Sequence, residues 1–299
     1  MKLAAAALLG LLIVAQPFDS LSGRAAAGLL AQGKKPTAQD IRDRLNAYLT
    51  TYEPRLSELI AEEFMVQQNV RGNRPAGGGI GPPEFRTIRS EVAFIALPGD
   101  AGWMGFRRVL KVGSEAVDDA LGSLNTVLAT GAGDDYSRAR NMLSQSARFN
   151  LGTPRTINLP NLPLELLHPR HAQRFAIRLA GEERVRGKRT TKLVLVENVP
   201  PTIIRSYDNH DMRSIVSAFV EAETGRLWRA EVVTRDPGPT KFAFDHVISV
   251  EFMEHRALGL LVPATMHEVF FAGQNRNAFG DATYSNYRRF QTSARIVPQ

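Results

Sequence analysis

The stretch KFAFDHVISVEFME, residues 241–254, most constrains what this chain can fold into. Its apolar residues alternate with more polar ones, as they do in a β-strand that buries one face. The side chains predicted to share that face are Phe242, Phe244, His246, Ile248, Val250 and Phe252. An α-helix would scatter this set around its circumference, so the stretch predicts a long strand in a sheet with one strongly apolar side.

The chain from Arg174 onward repeats this pattern, with turn residues between short apolar runs. The segment EAETGRLWRAEVV, residues 221–233, is typical of a hairpin that turns at Thr224 and Gly225. Strands are predicted near 172–180, 189–197, 212–222, 226–235, 241–254, 261–272 and 281–296. Close spacing of this kind predicts antiparallel pairing, and hence one wide sheet over 172–297.

A helical arm is predicted before these strands, over residues 37–70. Thr37 and Asp40 resemble a capping box, with Asp in place of the usual Glu. Apolar residues then recur at helical spacing as far as Phe64, although Pro54 would kink or restart the helix. An isolated arm could not bury its apolar stripe, so it needs a partner surface.

The middle of the chain predicts a loop, two strands and a helical insert. Residues 71–83 hold too much Gly and Pro for a regular element and indicate a surface loop. Two antiparallel strands are predicted over 84–112, and apolar periodicity predicts a helical insert over 116–168. A domain boundary at the loop is the alternative to a single domain over 37–299, which we prefer because the arm needs the sheet.

Together these elements predict an α+β fold. A large curved antiparallel sheet, or half-barrel, would carry the N-terminal amphipathic helix and the helical insert on its concave face. A long twisted sheet exposes more apolar area on that face than short helices cover easily. Two outcomes follow: the helices fill the concavity as a core, or a ligand pocket remains.

The N-terminus predicts export. Residues 3–15, LAAAALLGLLIVA, follow Lys2 and have the length of a signal-peptide core, which is short for a membrane span. Cleavage after Ala27 would leave residues 28–36 as a flexible mature N-terminus; Ala15 and Ala31 are alternative cleavage sites. A periplasmic or secreted protein without a transmembrane span is therefore expected, and a buried N-terminal helix is the alternative.

Composition excludes several classes of site. There is no cysteine, so disulfides and thiolate metal sites cannot form. The formal net charge of +7 favours encounter with acidic partners, but nucleic acid is not expected outside the cytoplasm. The densest basic stretch, residues 184–192, surrounds Gly187 and is typical of a solvated hairpin turn.

The last third of the chain resembles the half-barrel of the bacterial outer-membrane lipoprotein carriers. The likeness lies in FVEAETGRLWRAEVV, in KFAFDHVISVEF and in LGLLVPATMHEVF. The chain also resembles a group of uncharacterised exported bacterial proteins through SEVAFIALPGDAGWMGFRRV, RTINLPNLPLELLHP and GDATYSNYRRFQ. It departs from the carriers in its helical insert and its glycine-rich loop.

The carrier resemblance implies a concave apolar surface that binds a lipid or acyl chain without catalysis, cofactor or metal. The residues expected to line it are Trp228, Phe242, Phe244, Ile248, Val250, Phe252 and Phe270. The alternative is an envelope protein-interaction module with a filled core, which would bind through basic loops and through Tyr284, Tyr287, Arg288 and Arg289.

Four polar groups are candidates for sites of chemistry. HPRH, residues 168–171, spaces two imidazoles for a metal, but Pro169 disrupts the helix that would aim them. The triplet Met266-His267-Glu268 begins like a zinc-protease helix yet lacks the second histidine.

The other two groups also have ordinary structural explanations. Asp208, His210 and Asp211 could be a general base with orienting carboxylates, which would make the chain a hydrolase, but no activated nucleophile accompanies them. His246 on the apolar face is expected to be a hydrogen-bonded core histidine.

Overall fold

A computed structural model of the protein describes residues 35–71, 82–96, 103–118, 144–152, 155–206, 209–235, 244–272 and 276–289. The chain divides into two units, Met1–Lys35 and Pro36–Gln299, and the elements below belong to the second. The predicted signal peptide at 1–27 lies outside the described residues, as do most of the glycine-rich loop and residues 119–143 of the predicted insert.

Within the described residues, twelve strands belong to one sheet. They are β1 Leu59–Arg71, β2 Glu84–Ala96, β3 Trp103–Val112, β4 Glu115–Ala116, β5 Phe175–Val185, β6 Lys188–Glu197, β7 Ile204–Arg205, β8 Asp211–Val220, β9 Leu227–Arg235, β10 Phe244–His255, β11 Leu260–Ala272 and β12 Arg276–Arg289. Every strand pair is antiparallel. The seven strands predicted after residue 172 are therefore confirmed, with shifted ends.

Few helices accompany the sheet in the described part of the chain. The main one is α1, Ala38–Leu56, whose capping box joins Thr37 and Asp40 as predicted. A short helix α2, Leu162–Leu167, precedes a 3₁₀ helix, Pro169–Arg174. Residues 144–147 make one further helical turn.

The predicted helical arm over 37–70 is wrong beyond Leu56. Pro54 lies in the last turn of α1, and the chain re-enters as strand β1 two residues after the helix ends. The error has a physical cause: the inward side of β1 carries polar residues, including Glu63 and Gln67, while Phe64 and Val66 face outward. Burial thus alternates along β1 as in a strand, but polar side chains lie on its buried side and apolar side chains on its exposed side.

The strand order is β4-β3-β2-β1-β12-β11-β10-β9-β8-β6-β5, and β7 pairs with β8 away from this path. The last strand, β12, lies between β1 and β11 and joins the N-terminal strands to the rest of the sheet. Helix α1 contacts β2 and also β5 and β6, which lie towards opposite ends of the order. The sheet therefore curves around α1, as the predicted half-barrel requires.

Candidate functional site

The concave face has an apolar half, which lies beneath the two helices. Helix α1 contacts β5, β6 and β11, while α2 contacts β8 and β9. The apolar stripe of α1 is fully buried there and consists of Ile41, Leu45, Leu49, Tyr52 and Leu56. This half of the concave face is where the sequence predicts a hydrophobic ligand.

Of the predicted lining residues, four lie in this core and a fifth is buried outside it. Trp228, Ile248, Val250, Phe252 and Phe270 are each at most 3% exposed. Phe242 lies outside the described residues, and Phe244 is described only as the first residue of β10. The structure thus brings four of the seven predicted residues into one core, while Phe270 packs against the ring of His246 and the guanidinium of Arg155; the role of all of them in ligand binding stays a prediction.

Two arginines fasten α1 across this half of the sheet. Arg44 donates a hydrogen bond to the carbonyl of Ala222 in the β8–β9 turn. Arg55 donates to the carbonyls of Leu258 and Gly259 in the β10–β11 turn, each at 3.0 Å. We call these two contacts the helix clamp. Both arginines are exposed, so the helix clamp lies at the rim of α1; a further polar contact, between the buried Glu53 and His168, lies near the end of the helix, and the apolar stripe is held by packing.

The β8–β9 turn approaches α1 very closely at Gly225. This glycine has φ +74°, and a Cβ placed on it would lie 2.2 Å from the backbone oxygen of Arg44. Glycine is the one residue without a Cβ, so it allows both the left-handed backbone and the contact. The Thr224–Gly225 turn predicted from the sequence therefore also forms the backbone surface on which α1 packs.

The other half of the concave face is polar and was missed by sequence reasoning. Buried side chains from five strands and from the segment before α2 form one hydrogen-bonded group, called here the buried polar network. Its members are Glu63, Gln67, Arg107, Asn150, Arg155, Asn158, His246, Glu268 and Tyr284. The group therefore places several charges in the interior.

One ion pair of the network joins β1 to β3. Arg107 donates to both carboxylate oxygens of Glu63, at 2.6 and 2.8 Å. Tyr284 of β12 donates to the same carboxylate at 3.0 Å, and burial raises the pKa of this tyrosine well above its usual value. With these three hydrogen bonds, most lone pairs of the buried Glu63 carboxylate have a donor.

The second ion pair lies on β11. Arg155 donates to Glu268, and the ring Nε2 of His246 lies 3.2 Å from the same carboxylate. Burial alone would raise the pKa of Glu268, but its hydrogen bond with His246 and the charge and hydrogen bonds of Arg155 lower it to about 2. His246 is thus a hydrogen-bonded core histidine, as predicted.

Amide side chains connect the two ion pairs. Asn158 accepts a hydrogen bond from Arg107 at 3.2 Å and donates to Glu268 at 3.3 Å. Gln67 of β1 donates to Asn150 at 2.7 Å, which ties the segment before α2 to the sheet. The network therefore holds an irregular segment against the concave face with directional bonds, whereas α1 rests mainly on apolar packing.

The histidine pair of HPRH is divided between two carboxylates. His168 lies 3.1 Å from Glu53 of α1, and His171 lies 3.1 Å from Glu165 of α2. In the triplet Met266-His267-Glu268, His267 faces solvent and pairs with Asp281 at 2.7 Å, while Glu268 is buried on the opposite face of the strand. No group of three potential metal-ligating residues occurs within the described residues.

Asp211 has a structural role beside β7. Its carboxylate accepts a hydrogen bond from the backbone N–H of Thr202 at 2.9 Å. His210 is exposed, and its backbone N–H donates to Ser206 at 2.9 Å. Asp208 lies outside the described residues, so the predicted base and orienting carboxylates are described only in part.

The outer face of the sheet carries an apolar row. Residues paired across eight strands follow one another in register: Phe85, Gln68, Phe279, Val269, Val247, Val233, Ile215 and Val196. Phe85 is 64% exposed, and two further aromatic residues of the outer face, Phe64 and Phe271, are 37% and 39% exposed. This face therefore presents aromatic side chains to solvent.

The residues predicted for a protein interface near the C-terminus are instead engaged within the chain. Tyr284 is buried in the polar network, and the hydroxyl of Tyr287 donates to the carbonyl of Pro263. Arg288 pairs with Glu91, and Arg289 with Glu58 at 3.0 Å. Tyr284 is thus too buried to contact a partner.

Comparison with solved structures finds several proteins that are similar in structure to this chain at low sequence identity. A putative outer-membrane lipoprotein-sorting protein domain from Vibrio parahaemolyticus is 10% identical, with 87% of this chain and 94% of that one covered and a TM-score of 0.38. A DUF1329 family protein from Desulfovibrio piger is 10% identical, covers 88% and 93%, and has a TM-score of 0.37. A LolA superfamily protein from Nitrosomonas europaea is 11% identical, covers 88% and 98%, and has a TM-score of 0.31.

Similarity at this level does not assign a function. No protein-family model matches the chain, and no curated protein does. Among the helices of the described residues, none is long and apolar enough to cross a membrane.

Proposed function

We propose that the protein is an exported cell-envelope protein that binds a lipid or acyl chain between α1 and the concave face of its sheet, without catalysis. One observation carries the proposal: the long helix over the apolar half of that face, α1, is held mainly by its apolar stripe, with the helix clamp at its rim and a buried polar contact between Glu53 and His168. The apolar run at residues 3–15 supports the envelope location.

Binding would require an acyl chain to replace side chains of α1 that pack on the sheet. Helix α1 contacts β11 and α2 contacts β9, so an acyl chain would reach the lining residues only when a covering helix moves outward. The acyl chain would then cover the apolar side chains of β9 to β11 in place of Leu45, Leu49 and Leu56. Apolar burial is not directional, so a methylene chain can replace leucine side chains at similar free energy per area.

The polar half of the concave face suits a fixed base for such motion. Its segment is held by the ion pair between Arg155 and Glu268 and by hydrogen bonds of Asn150 and Asn158, which require defined geometry. The polar half would therefore stay in place while the apolar half opens.

The proposal is tested by probe binding and by native mass spectrometry. Protein purified from a bacterial envelope is expected to carry a lipid-sized adduct, and delipidated protein to bind a fluorescent acyl probe with about micromolar affinity. Absence of both the adduct and probe binding would refute the function.

The helix clamp gives a specific prediction. Replacing Arg44 and Arg55 together by alanine should speed acyl-probe association, because α1 loses its rim hydrogen bonds while its apolar stripe is unchanged. The free energy of unfolding should fall by only about 1 to 3 kcal/mol, as expected for two exposed hydrogen-bonding side chains. Stopped-flow fluorescence and denaturant titration measure the two effects.

The matched control is Arg184→Ala. Arg184 is an exposed arginine that donates to the carbonyl of Gly187 within its own hairpin, at 3.1 Å. Its replacement should leave the association rate unchanged. Equal rates for the clamp variant and the control would show that α1 does not limit access.

A second candidate function, docking of an envelope protein, is favoured by the outer apolar row. Phe64, Phe85 and Phe271 would present an apolar surface to a complementary apolar face of that partner. Changing Phe85 and Phe271 to serine should then abolish a stoichiometric cross-linked complex while acyl binding is retained. Loss of acyl binding with no change in cross-linking would exclude this candidate.

A further inference from the structure

Buried charges in the described part of the chain have partners, with one exception. Glu63 pairs with Arg107, Glu268 with Arg155, Glu53 with His168, and Glu197 with Arg174. Arg42 is 2% exposed, and none of its three guanidinium nitrogens has a hydrogen-bond partner. An unpaired buried guanidinium is rare, because desolvating a charge without compensation costs several kcal/mol.

Arg42 lies on the first half of α1, between Ile41 and Leu45 along the buried stripe. Asn46 lies one turn later, and its side-chain Oδ1 is likewise buried without a partner. The hydroxyl of Tyr52 on the same helix is a third such group. Unsatisfied groups also occur on other elements, but among the residues that the structure describes Arg42 is the one whose guanidinium lacks a partner at all three nitrogens, and it lies on the helix proposed to cover the ligand.

No carboxylate of the helix can satisfy Arg42. The buried carboxylate of Glu53 lies eleven residues further on, about 16 Å along the helix axis, and is engaged by His168. Asp43, the adjacent residue, is exposed and exerts the one charge effect on Arg42. Burial dominates, and it lowers the pKa of Arg42 to about 10.

The chemistry of the missing partner follows from the side chain and its place. A guanidinium presents a planar fork of donors that fits carboxylate or phosphate oxygens. Because Arg42 lies beside apolar residues of the buried stripe, an anion reaching it must be attached to a group that tolerates an apolar interface. A fatty acid and an acyl phospholipid both meet this requirement.

We propose that Arg42 binds the anionic headgroup, carboxylate or phosphate, of a ligand whose acyl chain lies between α1 and the concave face. This inference rests on the proposed function and adds the ligand class to it. The protein would accept acyl chains with a negative headgroup and discriminate against neutral ones.

The experiment compares oleate, 1-oleoyl lysophosphatidate and methyl oleate as displacers of a bound acyl probe. Wild-type protein should bind at least one of the two anions about tenfold or more tightly than methyl oleate, and the tighter anion identifies the headgroup. In Arg42→Met, which keeps an apolar stem of similar length, the anions should bind no more than about twofold more tightly than methyl oleate. Arg42→Lys should keep part of the preference.

A stability measurement separates this role from a structural one. Because Arg42→Met removes an uncompensated buried charge, its melting temperature without ligand should equal or exceed that of the wild type. Binding of methyl oleate with no preference for the anions, or an unchanged preference in Arg42→Met, would overturn the inference alone. Failure of all three compounds to bind would overturn the proposed function as well.

Discussion

A Gly225→Ala variant is expected to lose about 2 to 4 kcal/mol of unfolding free energy. The left-handed backbone at this residue costs an alanine about 1 kcal/mol, and forcing a methyl group into filled space costs about 1 to 3 kcal/mol more. The new Cβ would meet backbone atoms of Arg44 and Leu45, at 2.2 and 2.8 Å, which cannot rotate away. Either α1 shifts outward or the β8–β9 turn rebuilds.

Gly187→Ala is the matched control for this variant. Gly187 has nearly the same backbone, with φ +79°, but nothing lies within 4 Å of a Cβ built on it. Its alanine variant should therefore lose only the backbone contribution of about 1 kcal/mol. Denaturant titration compares the two, and hydrogen exchange reports whether α1 loosens. Equal losses in both variants would show that the contact with α1 is dispensable.

Breaking the second buried ion pair should have a comparable or larger effect. Glu268→Gln removes the carboxylate that faces Arg155 and His246, and leaves a buried guanidinium without compensation. Losses of about 3 to 5 kcal/mol are usual for such a change. The double variant Arg155→Met/Glu268→Leu should recover part of this loss, because no orphaned charge remains. Glu58→Gln, at an exposed pair with Arg289, should change stability by less than about 1 kcal/mol.

The same carboxylate predicts how stability depends on pH. The pKa of Glu268 is about 2 in the folded protein and about 4.5 when unperturbed. Because the folded pKa is the lower one, the stabilisation is complete above pH 4.5 and is lost as the pH falls towards 2. The free energy of unfolding should therefore fall more steeply across this pH window in the wild-type protein than in Glu268→Gln, as measured by unfolding followed with circular dichroism. Parallel curves would place the acid sensitivity elsewhere.

The sequence predicts the C-terminal strands well because their hydrophobic alternation coincides with burial. In β10, Ile248, Val250 and Phe252 point inward as the pattern indicates. In β1 the inward residues include Glu63, Gln67 and Asn69, so the same rule finds no apolar side and favours a helix. The segment EEFMVQQN holds its polar residues as two consecutive runs on either side of Phe64-Met65-Val66, so its sequence shows no alternation from which the strand could be predicted.

The candidate site divides in the same way. Its apolar half follows from local patterns, since each strand reveals its own buried face. Its polar half depends on pairs far apart in sequence, such as Glu63 with Arg107 and Arg155 with Glu268. No local rule connects such residues, and the lack of a partner for Arg42 emerges only once every other buried charge has been paired.

The position of β12 has a consequence for the order of folding. This strand is the last in the sequence, yet it alone bridges the β1–β4 and β5–β11 blocks, pairing residues more than two hundred positions apart. Contacts of such long range form slowly. A chain that emerges from its N-terminal end onward would thus hold two unfinished sheet fragments, with apolar surfaces in need of protection, until its closing strand arrives.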